Sequence, residues 1–377
     1  MNVAILANSK RSIDDKVTSP HVLIMRELSK GLKARGHTAS LYAYGGQQTA
    51  THCLPWKDWR EFIEELKESV QDRSILAQRE LPRYFERMSF IREATHCVYA
   101  FQNASKSSDV INLHWGGHLF GVPFSSIPVV YSIRHGYDDP LFWLDIKELF
   151  YSQIHGLDKL HWVVLSNPQK KFLPDNTAES RIHVINHGMS FDDFPTHPSK
   201  KQGYVAFLGR IMRLKAPHIA IDAARRASIP IKIAGGIDPM KEGEPDYFKE
   251  EIEPRLGPGV EYLGELGVEE KIELLRGAIA TINPFQLEEP FGLVMIESLA
   301  CGTPLIVPKR GSALEILKEG ENGFYAETVE TIPEAIEKCR TLDYAAIQQD
   351  VRVRFSKERM VNAYVEVYKQ AIEDWKG

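Results

Sequence analysis

The stretch PHVLIMRELSKGLKARGHTASLYAY, residues 20–44, holds two periodicities in succession. From Pro20 to Gly36 the apolar residues recur at helical spacing, with proline near the start and glycine at the end, the usual asymmetry of a helix. HTASLYAY is short and β-rich, as is NVAILA at residues 2–7. Strand, helix, strand is a βαβ unit, which implies a parallel sheet. β-rich runs return at DVINLHW, IPVVYSIR, HWVVLS and RIHVINHG, each ending in residues able to do chemistry. In doubly wound sheets the strand ends are where ligands bind. Prolines, lysines and a glycine interrupt the pattern in FPTHPSKKQG, residues 194–203, as a linker does. A second alternating series follows: YVAFLG, a helix from about Pro217, IPIKIAGG, VEYLGEL, AIATINPF and a further helix. Two doubly wound α/β domains in tandem are therefore expected, over residues 1–197 and 198–355. A long amphipathic helix over 356–377 is expected to pack back towards the first.

Composition agrees with this division. A chain of 377 residues is long for one hydrophobic core, and 43% hydrophobic with 26% charged residues describes a globular protein. A net charge of -5 argues against nucleic acid as the main partner, since phosphate binding relies on excess Lys and Arg. Cys53, Cys97, Cys301 and Cys339 are scattered without a CxxC, so neither a zinc site nor a disulfide framework is indicated. The apolar run at the N-terminus is too short for a secretory signal, and nothing approaches the roughly 18 apolar residues that span a bilayer. A cytoplasmic protein is expected. Between residues 56 and 108, long helical segments carry Arg73, Arg79, Arg83, Arg87 and Arg92. A solvated face is the plainer reading of these charges, and an acceptor-binding or membrane-facing surface the sharper one.

The segment EPFGLVMIE, residues 289–297, sets two glutamates eight positions apart around the start of a helix. Its first amides, from Phe291 through Gly292 and Leu293 to Val294, have no internal acceptors and lie at the positive end of the dipole, which suits an anion. Glu297 falls roughly 7 to 8 Å further along the axis. Carboxylates accept hydrogen bonds from vicinal hydroxyls, so a ligand ordered polyol, diphosphate, polyol satisfies the whole segment. The nucleotide-sugars have that order, with sugar at Glu289 and ribose at Glu297. The plain alternative is a pair of solvated charges drawn to a helix start by its dipole. In YVAFLGRIMRLKAPH, residues 204–218, a strand ends at Gly209, and Arg210 and Lys215 follow. Two cations beyond a strand end can neutralise a diphosphate, and a bare glycine lets the ligand approach the backbone.

GRIMRLK followed about seventy-five residues later by EPFGLVMIESLACGTPLIV resembles the retaining GT-B glycosyltransferases of family four, with their Glu-x7-Glu segment. HVLIMRELSKGLKARGH, VINHGMSFDDF and GSALEILKEGENGF extend the resemblance over nearly the whole chain. It implies the GT-B architecture of two Rossmann-like domains flanking a cleft, with acceptor on the N-terminal and nucleotide-sugar on the C-terminal domain. It implies a retaining hexosyltransferase using a UDP-sugar such as UDP-glucose. The family's Arg and Lys fall on Arg210 and Lys215, and its glutamates on Glu289 and Glu297. Two departures stand out. The first strand-to-helix loop reads VTSPHV, residues 17–22, where relatives carry a glycine pair, and Ala216 stands where glycine is usual after the lysine. The family places a histidine near the transferred sugar; His135 in YSIRHGYDD is the candidate, one residue further from Ser132 than usual. His114 in NLHWGGH is a candidate for the acceptor pocket, and His187 in INHGM reads as structural.

Retention in this family is ascribed to front-face attack without an enzymic nucleophile, leaving Glu289 to position sugar hydroxyls. No two aspartates stand two positions apart, so the DxD device for holding a metal is missing. With Arg210 and Lys215 available for the diphosphate, no metal or other cofactor is expected. The competing readings are a GT-B sugar-nucleotide epimerase or phosphorylase, and an inactive nucleotide-sugar sensor. A dinucleotide oxidoreductase is disfavoured, because no GxGxxG follows the first strand.

Overall fold

The computed structural model describes residues 1–7, 20–44, 52–54, 81–134, 156–175, 177–238 and 243–376. The first sheet contains β1 (Asn2–Leu6), β2 (Thr38–Tyr44), β3 (His52–Leu54), β4 (Val110–Leu113), β5 (Val129–Ser132), β6 (His161–Val164) and β7 (Ile182–Val184). Every pairing is parallel, in the order β3-β2-β1-β4-β5-β6-β7. All four residues of β4, β5 and β6 are buried, as they must be in a sheet covered on both faces. Helix α1 (Pro20–Lys33) connects β1 to β2, and α2 (Leu81–Ser107) leads into β4.

Arg92 departs from the solvated face expected of the arginine-rich segment. It is buried in α2 in phase with His96, Ala100 and Ala104, a stripe at spacing four that faces the sheet. Arg73 and Arg79 lie outside the described residues, as do the side chains of Arg83 and Arg87.

The second sheet is also wholly parallel, in the order β10-β9-β8-β11-β12-β13. Its strands are β8 (Val205–Leu208), β9 (Ile231–Ala234), β10 (Val260–Tyr262), β11 (Thr281–Ile282), β12 (Leu305–Val307) and β13 (Gly323–Tyr325). Helices α3 (Pro217–Arg226), α4 (Val268–Gly277), α5 (Leu293–Ala300), α6 (Ile332–Cys339) and α7 (Tyr344–Arg354) cover it. One apolar cluster, built on Ile296, Leu299 and Leu275, fills one side; another, built on Phe207, Ile221 and Ile336, fills the other. Strand order reverses between β8 and β11, which opens a crevice at their carboxyl ends.

After α7 the chain returns to the first domain as α8 (Lys357–Lys376). Met189 bridges Ser356 just before it. Val361, Tyr364, Val365 and Tyr368 then enter the same apolar cluster as Val22, Leu28 and Val130. It lies close against α1 at Gly31, where an added Cβ would stand 2.4 Å from Val361 Cγ2.

Candidate functional site

Four loops at the carboxyl ends of the second sheet build the site. After β8, the Gly209 amide donates to Ala234 O and the Ile211 amide to Gly236 O, tying this loop to the one after β9. The approach is so close that a Cβ at Gly235 would lie 1.7 Å from Gly209 O. Arg213–Lys215 form a single 3-10 turn that ends on Ala216 with φ 53, a left-handed conformation costly for any residue but glycine. Ala216 stands where the family that the sequence resembles commonly has glycine, and its left-handed turn follows Lys215 directly. Across the crevice, the Gln286 amide donates to Leu214 O at 2.7 Å and draws the loop after β11 against that turn.

The glutamate segment is gripped from the far side by the turn after β12. Gly311 N donates to Glu288 Oε2, Ser312 N to Glu289 O, and Ser312 Oγ to Phe291 O. A side chain at Gly311 would collide with Glu289 N at 2.6 Å, so this close approach requires glycine. Gly292 adopts φ 75 and caps α5, which therefore begins at Leu293 and not at Phe291 as the sequence pattern indicates. Phe291 is instead a core residue, 2% exposed, with its ring against Phe355. Leu293 and Val294 supply the first helical amides, and no side chain caps them.

Each of the four charged residues read from the sequence meets an opposite charge. Lys215 Nζ pairs directly with Glu289 Oε2, both largely buried. Glu297 pairs with Lys271 on α4, Nζ to Oε1 at 2.6 Å. Arg210, half exposed, lies 3.5 Å from the buried Glu244. Sequence reasoning missed Lys271 and Glu244. The first sits in VEEKIELL, an amphipathic run whose charges look alike, and nothing in the spacing marks it. Gly209, Gly235, Gly236, Glu265, Lys271, Leu293, Val294 and Glu297 line a cavity of about 140 Å³, closed on the other side by Leu23 of α1. Its lining thus combines a carboxylate held by a lysine, the bare backbone of three glycines and the first residues of α5.

The first domain presents its own strand ends to the glutamate segment. Ser166, after β6, donates to Pro290 O at 3.0 Å, and the ring of His187, after β7, meets Phe291 edge-on. His114, after β4, is 4% exposed, and its Nδ1 accepts from Arg134 Nε at 2.6 Å. Arg134 also lies 3.1 Å from His187 Nδ1. His135 is outside the described residues, as are residues 17–19 of the first strand-to-helix loop. Counting two residues from Ser132, the family's histidine spacing falls on Arg134, a residue that the adjacent His135 obscured. Burial lowers the Arg134 pKa from its ordinary value, and a hydrogen bond with Tyr364 opposes that shift.

Residues 190–356 match the family model "Glycosyl transferases group 1". The D-inositol 3-phosphate glycosyltransferase of Mycolicibacterium smegmatis is 28% identical over 222 residues, covering 54% of this chain and 50% of that protein. The chain thus spans about half the length of that relative. An uncharacterized glycosyltransferase of Methanocaldococcus jannaschii, MJ1607, is 26% identical over 303 residues, covering 70% of this chain and 76% of the other. Among solved structures, sucrose-phosphate synthase from Thermosynechococcus elongatus superposes with a TM-score of 0.73 at 16% identity, covering 98% of each chain. Anabaena Alr3699/HepE in complex with UDP and glucose gives 0.70 at 19%, covering 98% of this chain and 100% of that one. These likenesses show the fold, the two-domain GT-B architecture.

Proposed function

We propose that the protein is a retaining glycosyltransferase that moves a hexosyl group from a UDP-sugar, such as UDP-glucose, to an acceptor in the cleft. The carrying observation is the cavity at the carboxyl ends of the second sheet, whose lining brings Glu297 and Lys271 together with Gly209, Leu293 and Val294. Ribose hydroxyls donate to Glu297, whose other oxygen Lys271 holds. The diphosphate takes the Leu293 and Val294 amides and draws on Arg210 and Lys215. Because Lys215 touches Glu289, the junction of phosphate and transferred sugar lies between them, with Glu289 on the sugar side.

In the transfer, the bond from the anomeric carbon to the phosphate oxygen breaks and its electron pair leaves with the diphosphate. The acceptor oxygen bonds to the same face, and its proton passes to the departing phosphate oxygen. Charge grows on that oxygen as the bond breaks, so Lys215, Arg210 and the helix amides act where the barrier is. The two side-chain cations supply the neutralisation that a divalent metal gives elsewhere, and transfer in chelator is the expected behaviour. Peripheral contact with a membrane, where an acceptor could lie, belongs to the same reading.

The test starts from ligand-induced stabilisation. UDP at a concentration 100 times its dissociation constant should stabilise the fold by about 2.7 kcal/mol. If UDP, GDP and ADP all leave the melting temperature unmoved at saturating concentration, the donor site is misassigned. Glu297→Ala is expected to raise the donor KM and weaken UDP binding, since ribose is held equally in ground and transition states. Lys215→Ala and Arg210→Ala should lower kcat by roughly 10² to 10³. UDP release that needs no acceptor would favour an epimerase or phosphorylase, and an inverted anomer in the product would exclude retention.

A further inference from the structure

Every basic side chain described above at the donor site has a carboxylate beside it: Lys215 has Glu289, Lys271 has Glu297 and Arg210 has Glu244. Arg134 does not. It is 4% exposed, and the groups beside it are His114 Nδ1, the His187 ring and the Tyr364 hydroxyl, none of them a carboxylate. Its Nη2 is buried with no hydrogen-bond partner. Guanidinium stays protonated in proteins, and a buried charge without a counter-charge is costly. Among the described residues nothing supplies that counter-charge. The surroundings are nonetheless ordered around the cation. Tyr364 OH donates to Ser132 Oγ, Ser132 Oγ to Asn112 Oδ1, and Asn112 Nδ2 to Tyr368 OH, a buried polar chain joining β4 and β5 to α8.

Position gives the second half of the argument. Arg134 follows β5 at the edge of the first sheet that faces the glutamate segment, and His187 links it to Phe291, two residues from Glu289. His114 accepts from Arg134 through Nδ1, which fixes the guanidinium against the end of β4. We propose that Arg134, flanked by His114 and His187, forms an anion site on the acceptor side of the cleft, completed by a phosphate or carboxylate group of a substrate. This rests on the donor reading only for the identity of the substrate. The anion can arrive on the acceptor, or as a uronate carboxylate on the transferred sugar.

Inorganic phosphate and a pair of donors separate these sources. With wild-type protein saturated with UDP, which occupies the donor phosphate groups, phosphate is titrated by calorimetry; UDP-glucuronate and UDP-glucose are compared for affinity. Phosphate binding that Arg134→Gln weakens about tenfold or more, as expected for loss of a charged hydrogen-bond donor, indicates an acceptor anion. A preference for UDP-glucuronate that the same variant abolishes indicates a uronate donor. Arg134→Lys, which keeps the charge and loses the fork, should retain part of either effect. UDP-induced stabilisation should persist in both variants and reports that the fold and donor site are intact. The proposal is overturned if wild type neither binds phosphate nor prefers the uronate, or if Arg134→Gln and Arg134→Lys alter neither. Phosphate binding through Arg134 in a protein that ignores every nucleotide would keep this site and discard the donor reading.

Discussion

Lys215 and Glu289 touch, so removing either one leaves the other beside an altered field. Their effects on catalysis are therefore coupled. In a double-mutant cycle of Lys215→Ala and Glu289→Ala, log kcat/KM should depart from additivity by about 1 kcal/mol or more. Strict additivity would mean that the pair separates before the chemical step. Arg210 and Glu297 have different partners and should combine additively with one another. The four residues stood out in the sequence by their combination, two cations just after one strand and two glutamates eight positions apart around a helix start, although a glutamate at a helix start is ordinary by itself. Lys271 was not legible, since a lysine on an amphipathic helix has the same local pattern whether it meets solvent or Glu297. Arg134 was hidden by its neighbour, because a histidine at a strand end draws the eye before an arginine does.

At the scale of elements, the site depends on how closely two loops approach. Gly235→Ala must push the β9 loop away from Gly209 O, deforming the wall of the cavity. It should cost about 1 to 3 kcal/mol in stability and abolish stabilisation by UDP. Wild-type UDP affinity in that variant would contradict the role given to this wall. The alternation of strands and helices was legible almost throughout, because a parallel sheet covered on both faces demands continuous apolar runs. The start of α5 was misread by two residues: Gly292 turns left-handed there, a backbone state that the hydrophobic period does not encode. The packing of α2 was equally illegible, since Arg92 and His96 are polar residues on an inner stripe. On that helix His96 Nδ1 lies 3.0 Å from His118 Nε2, and burial lowers the His96 pKa to about 4 and that of His118 well below its usual value. Both rings are neutral in the fold and gain protons near pH 6.5 when unfolded. The unfolded state therefore binds more protons below that pH, and stability falls as the pH drops from about 6.5 towards 4. Denaturant titrations at pH 7 and 5 should differ by about 2 kcal/mol for His96 alone, and His96→Gln should shrink the difference.

For the molecule as a whole, the junction of α1 and α8 joins the helix that follows the second domain to the first domain. Gly31→Ala places a methyl group into Val361 and should destabilise by about 1 to 3 kcal/mol. Val361→Ala in the same chain should return part of that loss, and two single losses that merely add would show that the helices do not meet as described. Lys357 on Glu27 and Arg35 on Asn362 fasten the rim of the same contact. This return of α8 has a consequence for the order in which the chain is made. The strands of the first sheet leave the ribosome early, but Val361, Tyr364 and Tyr368, which complete its core, emerge only after the whole second domain has been translated. At about 5 to 20 residues per second, the wait from β7 to α8 is roughly ten to forty seconds. The second domain, contiguous from β8 to α7, can close over its core during that interval, while the first still exposes the apolar groove between α1 and its sheet. Synthesis in this protein therefore runs from N to C, whereas completion of its domains runs from C to N.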